Sequence, residues 1–549
     1  MSKIEADYII TPLGDSAHTT DAIINGRSSV AEQRVPWVLV QPLCASCFSA
    51  EQWRELMLPD LSPFESLAAR CTSGVMQQMG DQWRKSIDPL RTLYILSTTK
   101  GDIDSMLTDS MHRVMHSVDL TCDGVVVSNA CISGVSALSL AARLTDSGTY
   151  DHVIVCGADV VSHFIVSGFQ SLHALSSQPC RPFDMERCGM NIGEAAAAVI
   201  VGRGSGGWHI VSSATRNDAH HISSPSMQGE GAYRALRAVT SGDEREPRVV
   251  SVHGTATLFN DQMEAIALHR AALDEATVSS LKGYVGHTLG AAGVLETVVT
   301  MHCLDKGVIP ATKGYAEHGV SVPLHVNACN EKVGEHEFLK LISGFGGANG
   351  VLWMSRERIS PPTELPRVRV THSIEIEPGR IDIDGQSEQL SPADGSMLSA
   401  LYHERVGGYP KYHKMDGLSR LGWLAAELLT RAEGKEPVSG ERGVIVCTRH
   451  ASMSTDRRYK ATIAADDYYP SPSLFVYTLP NIVSGEIAIR HKYYGESTCY
   501  VLPDEQFDMI HQLMRTTLAD RGMGSVLGGW ADYEDEEHFR VHFVIMERE

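Results

Sequence analysis

A strand, a tight turn, a helix and a second strand occur twice in this 549-residue chain, and that repeat limits the fold more than any other feature. The first copy, VVSNACISGVSALSLAARLTDSGTYDHVIVCGAD, closes on Asp159; the second, TCYVLPDEQFDMIHQLMRTTLADRGMGSVLGGWAD, closes on Asp532. Cys131 in the first copy and Asp504 in the second both stand 28 positions before the closing aspartate. Apolar strands joined through amphipathic helices build layered α/β sheets. The second copy therefore reads as the N-terminal half of the first unit repeated, with an acid where the thiol stood.

The surrounding pattern agrees. Up to about residue 355, short β-branched runs (92–98, 124–129, 152–159, 195–202, 248–255 and 338–347) alternate with stretches such as GVSALSLAARLTDSG, where apolar residues recur every three to four positions. Pro361, Pro362 and Pro366 then interrupt it within a charged stretch, the mark of a stiffened linker. The division expected is a first unit at 1–355, a linker at 356–366 and a second, smaller α/β unit at 367–549.

Charge and hydropathy remove whole classes of function. Asp and Glu outnumber Lys and Arg by 67 to 47, a formal charge of −20, which repels a phosphate backbone and argues against a nucleic-acid partner. No run approaches the roughly 18 uninterrupted apolar residues of a membrane helix, and MSKIEADYIITPLG lacks a secretory core. A cytoplasmic protein with no membrane partner is expected. Twelve scattered cysteines argue against a disulfide framework or a bound metal.

Cys131 sits between an apolar strand and a helix of small residues. A thiol at the positive end of a helix dipole is expected to favour thiolate and act as a nucleophile, and Ser133, Gly134, Ser136 and Ala137 let other groups come close. The plainer reading is a buried small hydrophobe. Two histidines weigh against it. His253 ends an apolar strand in VHGTATLFND, and His287 stands in the glycine-rich turn of KGYVGHTLGAAGVLE, the positions where α/β sheets assemble sites. His163, His173, His220 and His221 lack that framing.

NACISG, HGTATLFND, KGYVGHTLGAAGVLE and GFGGANG, with the CRPFDMERCGMNIGEAAAAVIVG segment, resemble in order and spacing the β-ketoacyl-ACP synthases over about residues 4–355. The resemblance implies a thiolase-like α/β/α/β/α fold and a decarboxylative Claisen condensation of malonyl-ACP with an acyl group carried on Cys131. It implies that His253 and His287 stabilise the enolate, and that Lys282 pairs with Glu296 to orient the site. It implies an oxyanion hole at the N–H groups of Cys131 and Phe345, with Phe345 also a gate. Thr255, Thr257, Gly344, Gly346 and Gly347 then border the substrate. No cofactor is implied beyond the phosphopantetheine of the partner acyl carrier protein. Asp184, Arg187 and Glu194 are expected to be structural. Ala256 stands where the family has glycine, and Ala348 where it has threonine.

The second unit resembles half a condensing domain without nucleophile or histidines, like the chain-length factors that partner polyketide synthases. It is expected to dock in cis as an internal pseudo-dimer, or to stay tethered while two chains form a homodimer; residues 471–496 would line the far end of an acyl tunnel. Aryl polyene or other polyketide elongation is the product class expected. Fatty acid elongation and a non-catalytic chain-length-determining role are the alternatives.

Overall fold

The computed structural model describes residues 2–241, 247–357, 363–390, 396–434 and 442–549. One five-stranded pattern is used three times. Strands β1 (Ser2–Thr11), β2 (Thr92–Ser97), β3 (Asp123–Val127), β4 (His152–Asp159) and β5 (Ala195–Arg203) lie side by side in the order 3-2-4-5-1. β2 runs parallel to β3 and β4, and β5 runs antiparallel to β4 and β1. Strands β6 (His209–Asn217), β7 (Val249–Ser251), β8 (Thr277–Ser279), β9 (Glu337–Gly344) and β10 (Ala348–Ser355) repeat this as 8-7-9-10-6. The central strands read as near-continuous apolar runs because both faces are covered; all six residues of β2 are buried.

Helix α1 (Pro63–Ser86) covers the outer face of the first sheet and α3 (Glu230–Thr240) that of the second. Between the sheets lie α2 (Ser133–Asp146), every residue of which is buried, and α5 (Ala292–Asp305). These two helices cross at glycines. A Cβ on Gly134 would sit 2.7 Å from the Val294 nitrogen, and one on Gly293 would sit 2.5 Å from the Val135 nitrogen. The result is the expected thiolase-like α/β/α/β/α layering.

The third sheet belongs to the second unit: β11 (Val368–Glu377), β12 (Arg442–Thr448), β13 (Ser497–Val501), β14 (Ser525–Tyr533) and β15 (Phe539–Arg548), in the order 13-12-14-15-11. The internal repeat holds to the residue. Tyr94 is paired with Gly124 and Ile154, and Val444 with Ser497 and Leu527; Gly124 to Ser497 and Ile154 to Leu527 keep the offset that relates Cys131 to Asp504. A bulge between Ile4 and Ala6 in β1 recurs between Val370 and His372 in β11. Asp159 accepts from the Thr98 hydroxyl at 2.8 Å, and Asp532 from the Thr448 hydroxyl at 3.0 Å.

The two units share one sheet, because β13 pairs antiparallel with β3, Tyr500 opposite Val127 and Val501 opposite Val126. Three buried ion pairs cross the same boundary: Lys100–Asp456 at 2.6 Å, Arg143–Glu496 at 2.7 Å and Arg216–Asp520 at 2.6 Å. Between β12 and β13 the second unit inserts α7 (Pro472–Tyr477) and α8 (Ile482–His491), which pack against α6 (Gly417–Glu433) and the first unit. Helix α9 (Phe507–Thr517) is the counterpart of α2, yet it exposes Phe507, Asp508 and His511.

Two expected strands are shorter than their sequence runs. The 338–347 run is strand only to Gly344, in β9, and ends in a hairpin turn at 345–347 that leads into β10; the 248–255 run is strand only at Val249–Ser251. β10 ends at Ser355 and β11 begins at Val368; residues 358–362 of the proline-bearing stretch lie outside the described residues. Among the described residues no helix is long and apolar enough to cross a membrane.

The helix crossing makes a direct prediction. Gly134→Val must push α2 away from the α5 backbone and should cost about 1–3 kcal/mol or more, measured by urea unfolding of the full chain.

Candidate active site

The thiol stands on a strained elbow. β3 ends at Val127, and Ala130 takes a left-handed φ of 49° immediately before Cys131. The turn is tied by Ser133, whose hydroxyl donates to the Ala130 carbonyl at 2.6 Å and accepts from the Asn129 N–H at 2.8 Å. Cys131 is only 9% exposed. Burial pushes its thiol up to about 12, although the charge of Lys282 pulls the other way. The expectation of a resting thiolate is therefore corrected: desolvation outweighs the helix end, and the sulfur is neutral at physiological pH.

His253 follows β7, in a loop wrapped around two carboxylates of α4 (Leu258–Arg270). Glu264 accepts from the N–H groups of His253 and Gly254 at 2.6 and 2.8 Å, and Asp261 accepts from those of Thr255 and Ala256 at 2.9 and 3.1 Å. Ala256 has φ 61°, so the departure from glycine is accommodated in left-handed backbone, at about 1–2 kcal/mol. His287 lies in the turn before α5; its N–H donates to the Asn191 carbonyl at 2.7 Å and its carbonyl accepts from Gly193 at 3.0 Å.

These elements bring the three groups together. The Cys131 sulfur and one nitrogen from each imidazole lie within 4.8 Å of one another, and the two rings stand 5.0 Å apart at 85°. Nδ1 of His253 and both nitrogens of His287 are buried without a hydrogen-bond partner. Burial first, and then the charge of Lys282, hold both imidazoles well below the usual histidine value, so both are neutral. Each ring then carries one N–H and one lone pair, and turns one of its two nitrogens to the space they share.

The expected Lys282–Glu296 pair is present at 2.6 Å, fully buried, with a second lysine that sequence reasoning missed. Lys340 Nζ meets the other Glu296 oxygen at 2.5 Å and donates to the carbonyl of Val252, next to His253, at 3.0 Å. The lysines hold the Glu296 carboxyl below its ordinary value despite its burial.

A cavity of about 490 Å³ opens onto the trio, lined among others by Phe169, Leu172, Thr255, Thr257, Gly344, Phe345 and Gly347. His173, set aside in the sequence, also borders it. Gly346 does not; its backbone is turned to Asn481 of the second unit. A Cβ on Gly344 would lie 3.3 Å from the Cys131 nitrogen, which puts the gate turn and the nucleophile turn in contact. Behind Phe345 an aromatic series runs into the second unit, with Phe345–Phe169 centroids at 6.1 Å and Phe169–Phe475 at 5.2 Å.

Asp261, Glu264 and Lys340 hold the His253 loop and strand, and the sequence reading passed them over. The acids had a signal, an Asp-x-x-Glu pair in the first turns of the helix after the His253 loop; a lone lysine in a strand had none. Asp184, Arg187 and Glu194 are structural as expected, each bonded mainly to backbone groups. Cys44 and Cys47, the chain's one C-x-x-C spacing, are free thiols. Among the described residues the only trio placed to hold a metal ion is Cys131, His253 and His287. A cation there would face Lys282 and Lys340, and His287 offers no second-shell acceptor to fix its ring. The donors do not suit a metal.

Residues 68–206 match the family model described as beta-ketoacyl synthase, N-terminal domain, and residues 209–316 that of beta-ketoacyl synthase, C-terminal domain. The 3-oxoacyl-[acyl-carrier-protein] synthase 2 of Vibrio cholerae is 31% identical over 259 residues, 42% of this chain and 62% of that protein. The chain thus spans about three-fifths of the length of such relatives. Among solved structures, the PfaC keto synthase-chain length factor superposes with a TM-score of 0.76 at 11% identity, over 100% of this chain and 78% of that one. The ketosynthase ApeO, in complex with its chain length factor ApeC from Xenorhabdus doucetiae, gives 0.57 at 22% identity, over 65% of this chain and 98% of that one. At such identities the structures establish the fold.

Two outcomes follow from the charges. With roughly one thiol in ten thousand ionised at pH 8, alkylation of Cys131 by iodoacetamide should rise about tenfold per pH unit from 7 to 10 without levelling; a plateau near pH 8 would mean that the helix end prevails over burial. Glu296→Gln leaves two buried ammonium groups without their counter-charge and should cost about 3–5 kcal/mol, read by urea unfolding.

Proposed function

We propose that this chain, β-ketoacyl-synthase-like over residues 68–316, catalyses decarboxylative condensation of malonyl-ACP with an acyl group held on Cys131. The observation that carries the reading is the trio itself: a buried neutral thiol and two neutral, unpartnered imidazoles sharing one largely apolar cavity. In the first half-reaction the thiol proton passes to an imidazole lone pair as sulfur attacks the acyl thioester, and the imidazolium returns it to the carrier sulfur, which leaves as a thiol. In the second, malonyl thioester loses carbon dioxide while the N–H groups of His253 and His287 stabilise the enolate oxygen. The enolate carbon attacks the acyl-cysteine. The resulting oxyanion rests on the backbone N–H groups of Cys131 and Phe345, and its collapse frees the sulfur.

The second unit, on this reading, acts as a truncated chain-length factor fused in cis, making the chain an internal pseudo-dimer. The β3–β13 pairing and the three buried ion pairs support it, as does Phe475, which fills the notch at Gly168 behind the cavity. The likeness of the whole chain's fold to a keto synthase-chain length factor supports the two-unit reading; polyketide or polyene elongation is the product class proposed.

Mixing the protein with acyl-ACP and malonyl-ACP should add one acyl group to its intact mass, lost in Cys131→Ala, and give an extended product on the carrier. No acylation with several starters would overturn the reading. A chain ending at residue 357 should be insoluble or give a changed product length; unchanged solubility and length would remove the second unit's role.

A further inference from the structure

One set of buried polar groups has no part in the chemistry above. The turn that carries Phe345 is held by two asparagines: Asn481 donates its amide N–H to the Phe345 carbonyl at 2.8 Å, and Asn217 donates to the Gly346 carbonyl at 2.8 Å. The same Asn217 amide donates to the Ser497 hydroxyl at 2.7 Å, and the Ser497 carbonyl accepts from the Asn129 amide at 3.0 Å. Asn129 is two residues before Cys131. Two residues of the second unit, Asn481 at the start of α8 and Ser497 on β13, therefore tie the gate turn to the nucleophile turn.

The neighbouring packing has the same purpose. Gly485 lies inside α8, where glycine is unfavourable, but a Cβ there would sit 2.6 Å from the Gly346 carbonyl oxygen and 2.9 Å from its Cα. The helix and the gate turn touch backbone to backbone. Asn481 is 1% exposed, and its own amide oxygen is buried without a partner. A polar side chain kept there at that cost serves the donor bond to Phe345.

We propose that Asn481 and Ser497 are positioning residues for the condensation: they latch the 344–347 turn closed against the nucleophile turn, so the second unit sets when the Phe345 gate opens. This rests on the reading of the chain as a condensing enzyme. Opening the gate breaks the Asn481 and Asn217 bonds and lets an acyl chain reach Cys131. Closing restores them and returns the Phe345 N–H beside Cys131 for carbon–carbon bond formation. The second unit then acts on the timing of the reaction as well as on the depth of the tunnel.

Asn481→Asp tests it, since it keeps the shape and sets an acceptor against the Phe345 carbonyl; Ser497→Ala is a milder second variant. Hydrogen exchange of the amides at 344–348 in the resting full chain needs no substrate and should be about fivefold faster in Asn481→Asp. With substrates, acylation of Cys131 should be unchanged or faster while extension falls about tenfold, and Ser497→Ala should move both in the same direction by less. A purely structural role would slow both half-reactions together. Wild-type exchange and wild-type half-reactions in both variants would overturn the latch. Faster exchange in a protein whose unsubstituted form never condenses would keep the latch and overturn the proposed reaction.

Discussion

The backbone crossing of α2 and α5 at Gly134 and Gly293 is the contact on which the rest of the structure depends. Each helix follows the turn that carries a member of the trio, Cys131 before α2 and His287 before α5. Because no side chain separates the helices at their starts, the two turns open into one space. The sheets above and below are then held at the spacing of a single helix layer, and strand ends from both halves face the same cavity. Larger residues at the crossing would part the turns before they disturbed either one.

The second unit makes sense as an edge closed by the chain itself. β3 leads into the nucleophile turn, and without β13 it would be the bare edge of a sheet, open to any passing strand. Pairing with β13 buries that edge, and the ion pairs Arg143–Glu496 and Arg216–Asp520 fix how far the strands slide. A single sheet with its helices suffices for this, since β13, α7, α8 and the segments carrying Asp456 and Asp520 make the contact. Its α9 shows the consequence of lacking a second stacked sheet: α2 is buried all round, whereas α9 presents Asp508 and His511 outward.

Much of this was legible in the sequence, and what was not has physical causes. The meeting of Cys131, His253 and His287 was legible because each sits in a local strand–turn–helix pattern with small residues around it. The repeat was legible to the residue because both copies obey the same sheet register, down to the closing aspartates. Lys340 was hidden because its partner is 44 positions away and only the fold brings them together. The hairpin at Phe345 was hidden because the apolar strand at 338–344 runs straight into the small residues of its turn, so strand and turn read as one run. The thiolate expectation failed because a helix terminus is a local feature, whereas desolvation depends on everything packed around the sulfur.

That failure bears on how the site is built. A cavity that stabilised thiolate would need positive charge aimed at the sulfur. Here the buried positive charge is placed one layer back, on Lys282 and Lys340, and largely neutralised by Glu296. Burial first, and then the residual positive field of those lysines, keeps the imidazoles unprotonated. Neutral imidazoles can accept the thiol proton in one half-reaction and donate hydrogen bonds to an enolate in the next. A protonated pair could only donate, and the chemistry would stop at the first step.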